Sequence, residues 1–124
     1  MKILLDTHIV LWFLNGERLS QNAKSMIAVN ENCISVASLW EVAIKMNIGK
    51  YRCDGGFSAF LRHVHRNGFV VLPIKDEYMT QLFNLPLHHR DPFDRIIIAT
   101  AVRENMTLLT ADENIQQYDI SWAQ

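Results

Sequence analysis

Cysteine is scarce in this chain, with only Cys33 and Cys53 among 124 residues. Two cysteines this far apart exclude a disulfide framework and a zinc site, and both read as reduced thiols of a cytoplasmic protein. Net positive charge is also missing: the formal charge is −1 and the sequence pI about 6.5. A nucleic-acid binder is often strongly basic. Any such contact here must come from a local patch, or from a metal that supplies the missing charge. No apolar run approaches the roughly 20 residues that span a bilayer. The stretch Ile9–Leu14 is short and flanked by Asp6 and Glu17, and a single Lys follows Met1, so neither a membrane span nor a signal peptide is expected. Linkers, repeats and low-complexity segments are absent too, which leaves one domain over residues 1–124.

What remains is a globular composition, 49% hydrophobic and 20% charged. Ile3-Leu4-Leu5 is an apolar run too brief for a core helix and reads as a buried strand ending at Asp6. Ile9–Leu14 reads as a short buried helix, and Ser20 as the cap of a helix over Gln21–Val29. Cys33–Val36 is the second strand candidate. Ser38 with Glu41 three residues on forms a capping-box pattern, opening a helix that runs to Asn47 or Gly49. Further helices are expected over Phe57–Val64 and Lys75–Leu85, with a strand at Phe69–Leu72 between them. Asp91-Pro92, a capping acid followed by Pro at the first helical position, announces a central helix rich in Ile and Ala that ends at Asn105. Thr107–Thr110 is the fourth strand, Glu113–Tyr118 a last helical turn, and Ile120–Trp122 a short edge strand. Alternation of strands and helices with short joints predicts a three-layer α/β/α domain around a parallel sheet of four to five strands.

In such a sheet the ends of the strands and the starts of the following helices share one edge, where ligands bind. Four acids fall there: Asp6 after the first strand, Glu41 and Asp94 in first helical turns, and Asp112 after the fourth strand. Each has a local explanation. Asp6 and Asp112 serve as turn or cap residues, Glu41 completes its capping box or pairs with Lys45, and Asp94 complements the helix dipole. Together they repel one another unless a cation sits among them. Oxygen ligands suit Mg²⁺ or Mn²⁺, which can activate a water and neutralise charge on a phosphodiester.

The segments ILLDTHIVLWFL, SVASLWEVAIK, HHRDPFDRIIIATAV and TLLTADENI, in this order and at these separations, resemble those of PIN-domain ribonucleases, and among them the VapC-type toxins of toxin–antitoxin pairs. The resemblance covers essentially the whole chain. It implies a Mg²⁺- or Mn²⁺-dependent endoribonuclease, a cognate antitoxin that blocks the site, and a homodimer. It places the family's catalytic and metal-binding acids at Asp6, Glu41, Asp94 and Asp112. Asp91 and Asp94 both lie at the same helix start; the spacing before Ile97 and Ala101 favours Asp94 as ligand and Asp91 as cap, with a swap left open.

Arg95, Arg90 and Lys45 are the candidate RNA contacts, beside His88 and His89, for which surface solvation is an equal reading. Thr7 and Thr110 flank the pocket as hydrogen-bonding or turn residues, and Trp12, Phe13 and Trp40 are expected in the core, with a partner groove as the other reading. An aspartyl phosphatase would want a second acid where His8 stands. A phospho-accepting receiver would want paired acids on the first strand and a Lys after the last. The alternative from another class is a non-catalytic PIN-like module that binds RNA or protein, and the intact four acids favour the enzyme.

Overall fold

The computed structural model describes residues 1–124. Five strands, β1 (Lys2–Leu5), β2 (Glu31–Ser35), β3 (Val70–Leu72), β4 (Thr107–Leu109) and β5 (Trp122–Ala123), form one all-parallel sheet in the order β3-β2-β1-β4-β5. Seven helices cover it: α1 (Thr7–Asn15), α2 (Gln21–Val29), α3 (Val36–Asn47), α4 (Gly56–Arg66), α5 (Asp76–Asn84), α6 (Pro92–Glu104) and α7 (Glu113–Gln116). This is the α/β/α arrangement expected. No helix is long and apolar enough to cross a membrane.

Both faces of the sheet are buried, which explains why the strands read as apolar runs rather than alternating ones. Ile3, Leu5, Ile34 and Leu109 point to one face, against Ile9, Val10, Ala23, Ile27, Val42, Phe60 and Val64 of α1 to α4. Leu4, Cys33 and Leu108 point to the other, against Ile97, Ile98 and Ala101 of α6 and Ile115 of α7. Tyr78 of α5 then packs on Ile96 and Ala99, so α6 lies between the sheet and α5. That double coverage accounts for its apolar character over much of its surface. The core reading of Trp40 fails: it is 59% exposed, its ring edge-on to Phe93, and Phe83 on α5 is 88% exposed.

β2 begins two residues earlier than the sequence pattern indicates, and Val36 belongs to α3 rather than to the strand. The cap of α3 is therefore Ser35, whose hydroxyl accepts from the Ala37 amide at 3.0 Å. Ser38 lies inside the helix and accepts a hydrogen bond from the Thr7 hydroxyl, also at 3.0 Å. The capping box is thus not formed, and Glu41 sits in the second turn. The sheet order reverses beside β1, whose neighbours β2 and β4 lead off in opposite directions. The switch point between β1 and β4 is where Asp6 and Asp112 emerge.

Replacing Ser35 by Ala should lower the unfolding free energy by about 1 kcal/mol through loss of the cap. Urea unfolding followed by circular dichroism reads this directly, and an unchanged midpoint would place the cap elsewhere.

Candidate metal centre

Asp6 leaves β1 and turns the chain into α1. Its Oδ1 accepts from the Ile9 amide at 2.9 Å, and its Oδ2 accepts from the Thr110 hydroxyl at the end of β4. Thr110 Oγ1 in turn accepts from the Asp112 amide at 3.0 Å, so one hydroxyl ties the tip of β1 to the tip of β4. Asp112 caps α7 through Oδ1 and the Asn114 amide at 2.8 Å. Asp91 caps α6, its Oδ1 accepting from the amides of Phe93 and Asp94 at 2.8 and 3.2 Å. Asp94 extends from the first turn of that helix, and Glu41 approaches from α3.

Burial and mutual repulsion dominate the electrostatics. Asp6 and Glu41 are each 3% exposed. Burial raises the Asp6 carboxyl above its ordinary range, against the Thr110 and Ile9 hydrogen bonds that favour its charged form. Burial also raises Glu41, with Asp91 adding to it and Thr7, His8 and Lys45 opposing. Asp94 is pushed up to about 8, first by burial and then by the charges of Asp91, Glu41, Asp6 and Asp112. The same field reaches Tyr51, whose phenol is raised to about 12 by burial and by Glu41, Asp94, Asp91 and Asp6. The charges of Glu41, Asp6 and Asp112 thus all reach Asp94, which places the four acids picked from the sequence in one field.

His89, for which RNA contact and surface solvation are equal readings of the sequence, stands among the acids. Its Nε2 lies 2.9 Å from Asp94 Oδ2 and 3.1 Å from Asp112 Oδ2. The Asp91 amide donates to its Nδ1 at 3.2 Å, so the ring hydrogen belongs on Nε2 and is shared by the two acids. His89, Asp94 and Asp112 offer ligand atoms within 4.8 Å of one another. With Nδ1 engaged as an acceptor, the imidazole is here a donor that spaces two carboxylates. The signal available in the sequence was its place two residues before the Asp91 cap.

The expected RNA contacts are placed differently from one another. Arg95 donates to the carbonyls of Leu82, Leu85, Pro86 and His89 and to the Tyr118 hydroxyl, which itself accepts from the amides of His88 and His89. Its guanidinium anchors the loop that carries His89. Arg90 is exposed. Lys45 makes no ion pair with Glu41, and its ammonium lies 5.9 Å from the centroid of the Tyr51 ring.

A divalent cation fits this donor set. Glu41 Oε1 is buried with no hydrogen-bond partner, a costly state for a carboxylate oxygen unless a cation serves it. The all-oxygen ligands suit Mg²⁺ or Mn²⁺.

A family profile described as PIN domain matches residues 3–121, and the chain belongs to that family. A comparison with curated proteins gave no match. Among solved structures, the fold is similar to that of VapBC2 from Rickettsia felis, crystallised with a DNA fragment from its promoter. That likeness has 17% identity, covers 99% of this chain and 98% of that one, and has a TM-score of 0.75. A toxin–antitoxin complex from Klebsiella pneumoniae is similar at 19% identity, 98% and 96% coverage and a TM-score of 0.70. VapC20 from Mycobacterium tuberculosis, described as a sarcin–ricin loop cleaving toxin, is similar at 14% identity, 95% coverage of each chain and a TM-score of 0.68.

In the metal-free protein, native Asp94 keeps its proton from its ordinary value of 3.8 up to about 8, whereas the unfolded chain releases it near the ordinary value. The native state then binds more protons, so this group's contribution to stability falls as pH rises across that window. Mg²⁺ or Mn²⁺ needs the deprotonated carboxylate and should reverse the trend. At a hundredfold excess over its Kd the gain is about 2.7 kcal/mol, on the order of 10 °C in Tm. Thermal melts at pH 5 and pH 8, with metal or with EDTA, should show the rise only at the higher pH. Asp94→Asn should flatten both dependences, and a wild-type Tm indifferent to pH and metal would contradict the assignment.

Proposed function

We propose that the protein is a Mg²⁺- or Mn²⁺-dependent endoribonuclease and the toxin of a toxin–antitoxin pair, acting in the cytoplasm. One observation carries the reading: four acids from four separate elements meet at the β1/β4 switch point, one of them with a buried oxygen that nothing in the chain serves. Asp6, Glu41, Asp94 and Asp112 would hold the cation. When bound, it supplies Lewis acidity to the phosphodiester and to the attacking water. The chain's own part is positional. Thr110 and the Ile9 amide fix Asp6, the Asn114 amide fixes Asp112, and the His89 Nε2–H sets the spacing between Asp94 and Asp112. In the reaction a water oxygen forms a bond to phosphorus as the bond to the leaving ribose oxygen breaks. A site carboxylate accepts the proton the water gives up, and the leaving oxygen takes one from solvent.

The toxin role is supported by the toxin–antitoxin complexes with the same fold. It is also supported by uncovered apolar faces. Val36, Trp40, Ile44 and Ile48, each four residues from the last, make an exposed stripe along α3 and just past its end. Met79 and Phe83 on α5, with Leu87 beyond it, make another. Single exposed apolar residues are ordinary, but contiguous stripes mark interaction surfaces. We assign these two to a second copy of the chain and to the antitoxin.

Purified protein free of antitoxin should cut total cellular RNA at discrete sites with Mg²⁺ or Mn²⁺, and not with EDTA. Asp94→Asn should reduce cutting to background with the fold retained. Absence of cutting under every divalent metal would favour a binding-only module instead. For the partner surfaces, one of Trp40→Glu and Phe83→Glu should shift the protein from dimer to monomer in size-exclusion chromatography coupled to light scattering, and the other should leave the dimer intact. A wild-type chain that is monomeric at all concentrations would remove the dimer from the proposal.

A further inference from the structure

The carboxylate oxygens at the β1/β4 switch point are not equally free. Both oxygens of Asp6 accept already, from the Ile9 amide and the Thr110 hydroxyl. Both of Asp112 do too, from the Asn114 amide and from His89 Nε2. Asp94 shares the His89 hydrogen through Oδ2, which leaves its Oδ1 without a protein donor. Glu41 Oε1 is buried and likewise unserved. A ring contact keeps α3 against α6 beside these two acids. Trp40 precedes Glu41, Phe93 precedes Asp94, and their rings meet edge-on with centroids 5.0 Å apart. Glu41 accordingly weighs more than Asp112 on the Asp94 carboxyl.

The other gap, between Asp94 and Asp112, is filled. In an N–H···O bond the hydrogen lies about 2 Å from its acceptor. Mg²⁺ sits at about the same distance, roughly 2.0–2.1 Å, from its oxygen ligands. The one Nε2 hydrogen, shared over N···O distances of 2.9 and 3.1 Å to Asp94 Oδ2 and Asp112 Oδ2, therefore stands where a bridging cation would. The space also has the size of a second metal position. The ions of a two-metal site lie about 3.5–4 Å apart, and the ligand atoms of His89, Asp94 and Asp112 all fall within 4.8 Å of one another. The ring is held against becoming a ligand itself. That change would move its hydrogen to Nδ1, where the Asp91 amide already points a donor at 3.2 Å. It is also held against swinging out. Doing so would pull the His88 and His89 amides from the Tyr118 hydroxyl and the His89 carbonyl from Arg95.

Resting on the metal-dependent reading above, we infer that the centre takes a single divalent cation, seated between Glu41 and Asp94, and that the His89 N–H occupies the position of a second. Asp6 and Asp112 flank that cation, and Asp112 faces it across the histidine. The number of ions is then set by a residue that is not an acid. Removing the ring opens the gap between Asp94 and Asp112 to another cation, with every carboxylate still in place.

The probe is Mn²⁺, counted by isothermal titration calorimetry and by electron paramagnetic resonance. Wild-type protein should bind one ion per chain and give the spectrum of an isolated Mn²⁺. His89→Ala should bind two per chain, with the spin coupling of neighbouring ions. Asp112→Asn in that background should return the count to one. His89→Gln keeps an N–H donor at similar reach and should also keep the count at one, which separates the donor from the packing of its loop. A second readout needs no variant. Nitrogen NMR of His89 in the wild-type protein should report a ring protonated at Nε2 both before and after saturation with Mg²⁺. Two coupled ions per wild-type chain, one ion in folded His89→Ala, or loss of the Nε2 hydrogen on Mg²⁺ binding would each overturn the inference. Should His89→Ala fail to fold, the wild-type count and the NMR signal decide. RNA cutting is scored separately. Two ions with cutting removes the inference and leaves the nuclease, one ion without cutting keeps the inference and removes the nuclease, and no bound Mn²⁺ removes both.

Discussion

Like charges held together out of water are the constraint on which this structure turns. Asp6 and Glu41 are almost wholly buried, and Asp94 sits in the field of four other carboxylates. Bringing such groups to one place is unfavourable unless something replaces the lost hydration. The fold does so with backbone. Asp6, Asp91 and Asp112 each accept amide hydrogens at the start of a helix, α1, α6 and α7 respectively, and those helices direct their positive ends at the same spot. For Asp6 and Asp112 the cap role observed and the ligand role proposed above are therefore compatible, because the amides make a carboxylate tolerable there.

The amides do not serve every oxygen. Thr110 takes one side of Asp6, and His89 takes one oxygen each of Asp94 and Asp112. Glu41 Oε1 receives nothing. His89 depends in turn on its loop, which is held by Arg95 and Tyr118 through backbone groups from Leu82 to His89. A long-range consequence follows. The packing of Tyr118 beside α7 fixes the loop, the loop fixes His89, and His89 sets the spacing of two acids from different elements. A change at Tyr118 would reach the acidic cluster through this chain of contacts without touching it.

Much of this was legible in the sequence because it is local or periodic. Apolar runs of three to five residues gave the strands, Asp91-Pro92 gave the start of α6, and the topology of a parallel sheet put the four acids at one edge. What escaped detection depends on contacts between distant residues. Ser35 and Ser38 both precede a helix-like stretch, and only the register of β2 against β1 decides that Ser35 is the cap. His89 in isolation is a polar loop residue; its role exists only because Asp94 and Asp112, from two other elements, close around it. Arg95 looked like a free cation beside an acid, but the carbonyls that it serves belong to a loop whose path the sequence does not specify. Trp40 follows the apolar rhythm of α3 yet faces outward, since that rhythm cannot tell a buried stripe from an exposed one.

The separation of charge across the molecule completes the argument. All the site's acids lie at the carboxyl edge of the sheet, while Arg18, Lys45, Lys50 and Arg52 lie along the groove that leads away from it. A polyanion approaching the bare acids would be repelled, and one lying only in the groove would stop short of them. Under the function proposed above, a divalent cation that neutralises the acids would join the two regions, leaving Glu17 as the one acid along the basic track. Tyr51 marks the boundary: its phenol already feels the acids, and its ring already has a lysine beside it. The overall charge of −1 thus conceals two opposed local fields, acids at the sheet edge and cations along the groove.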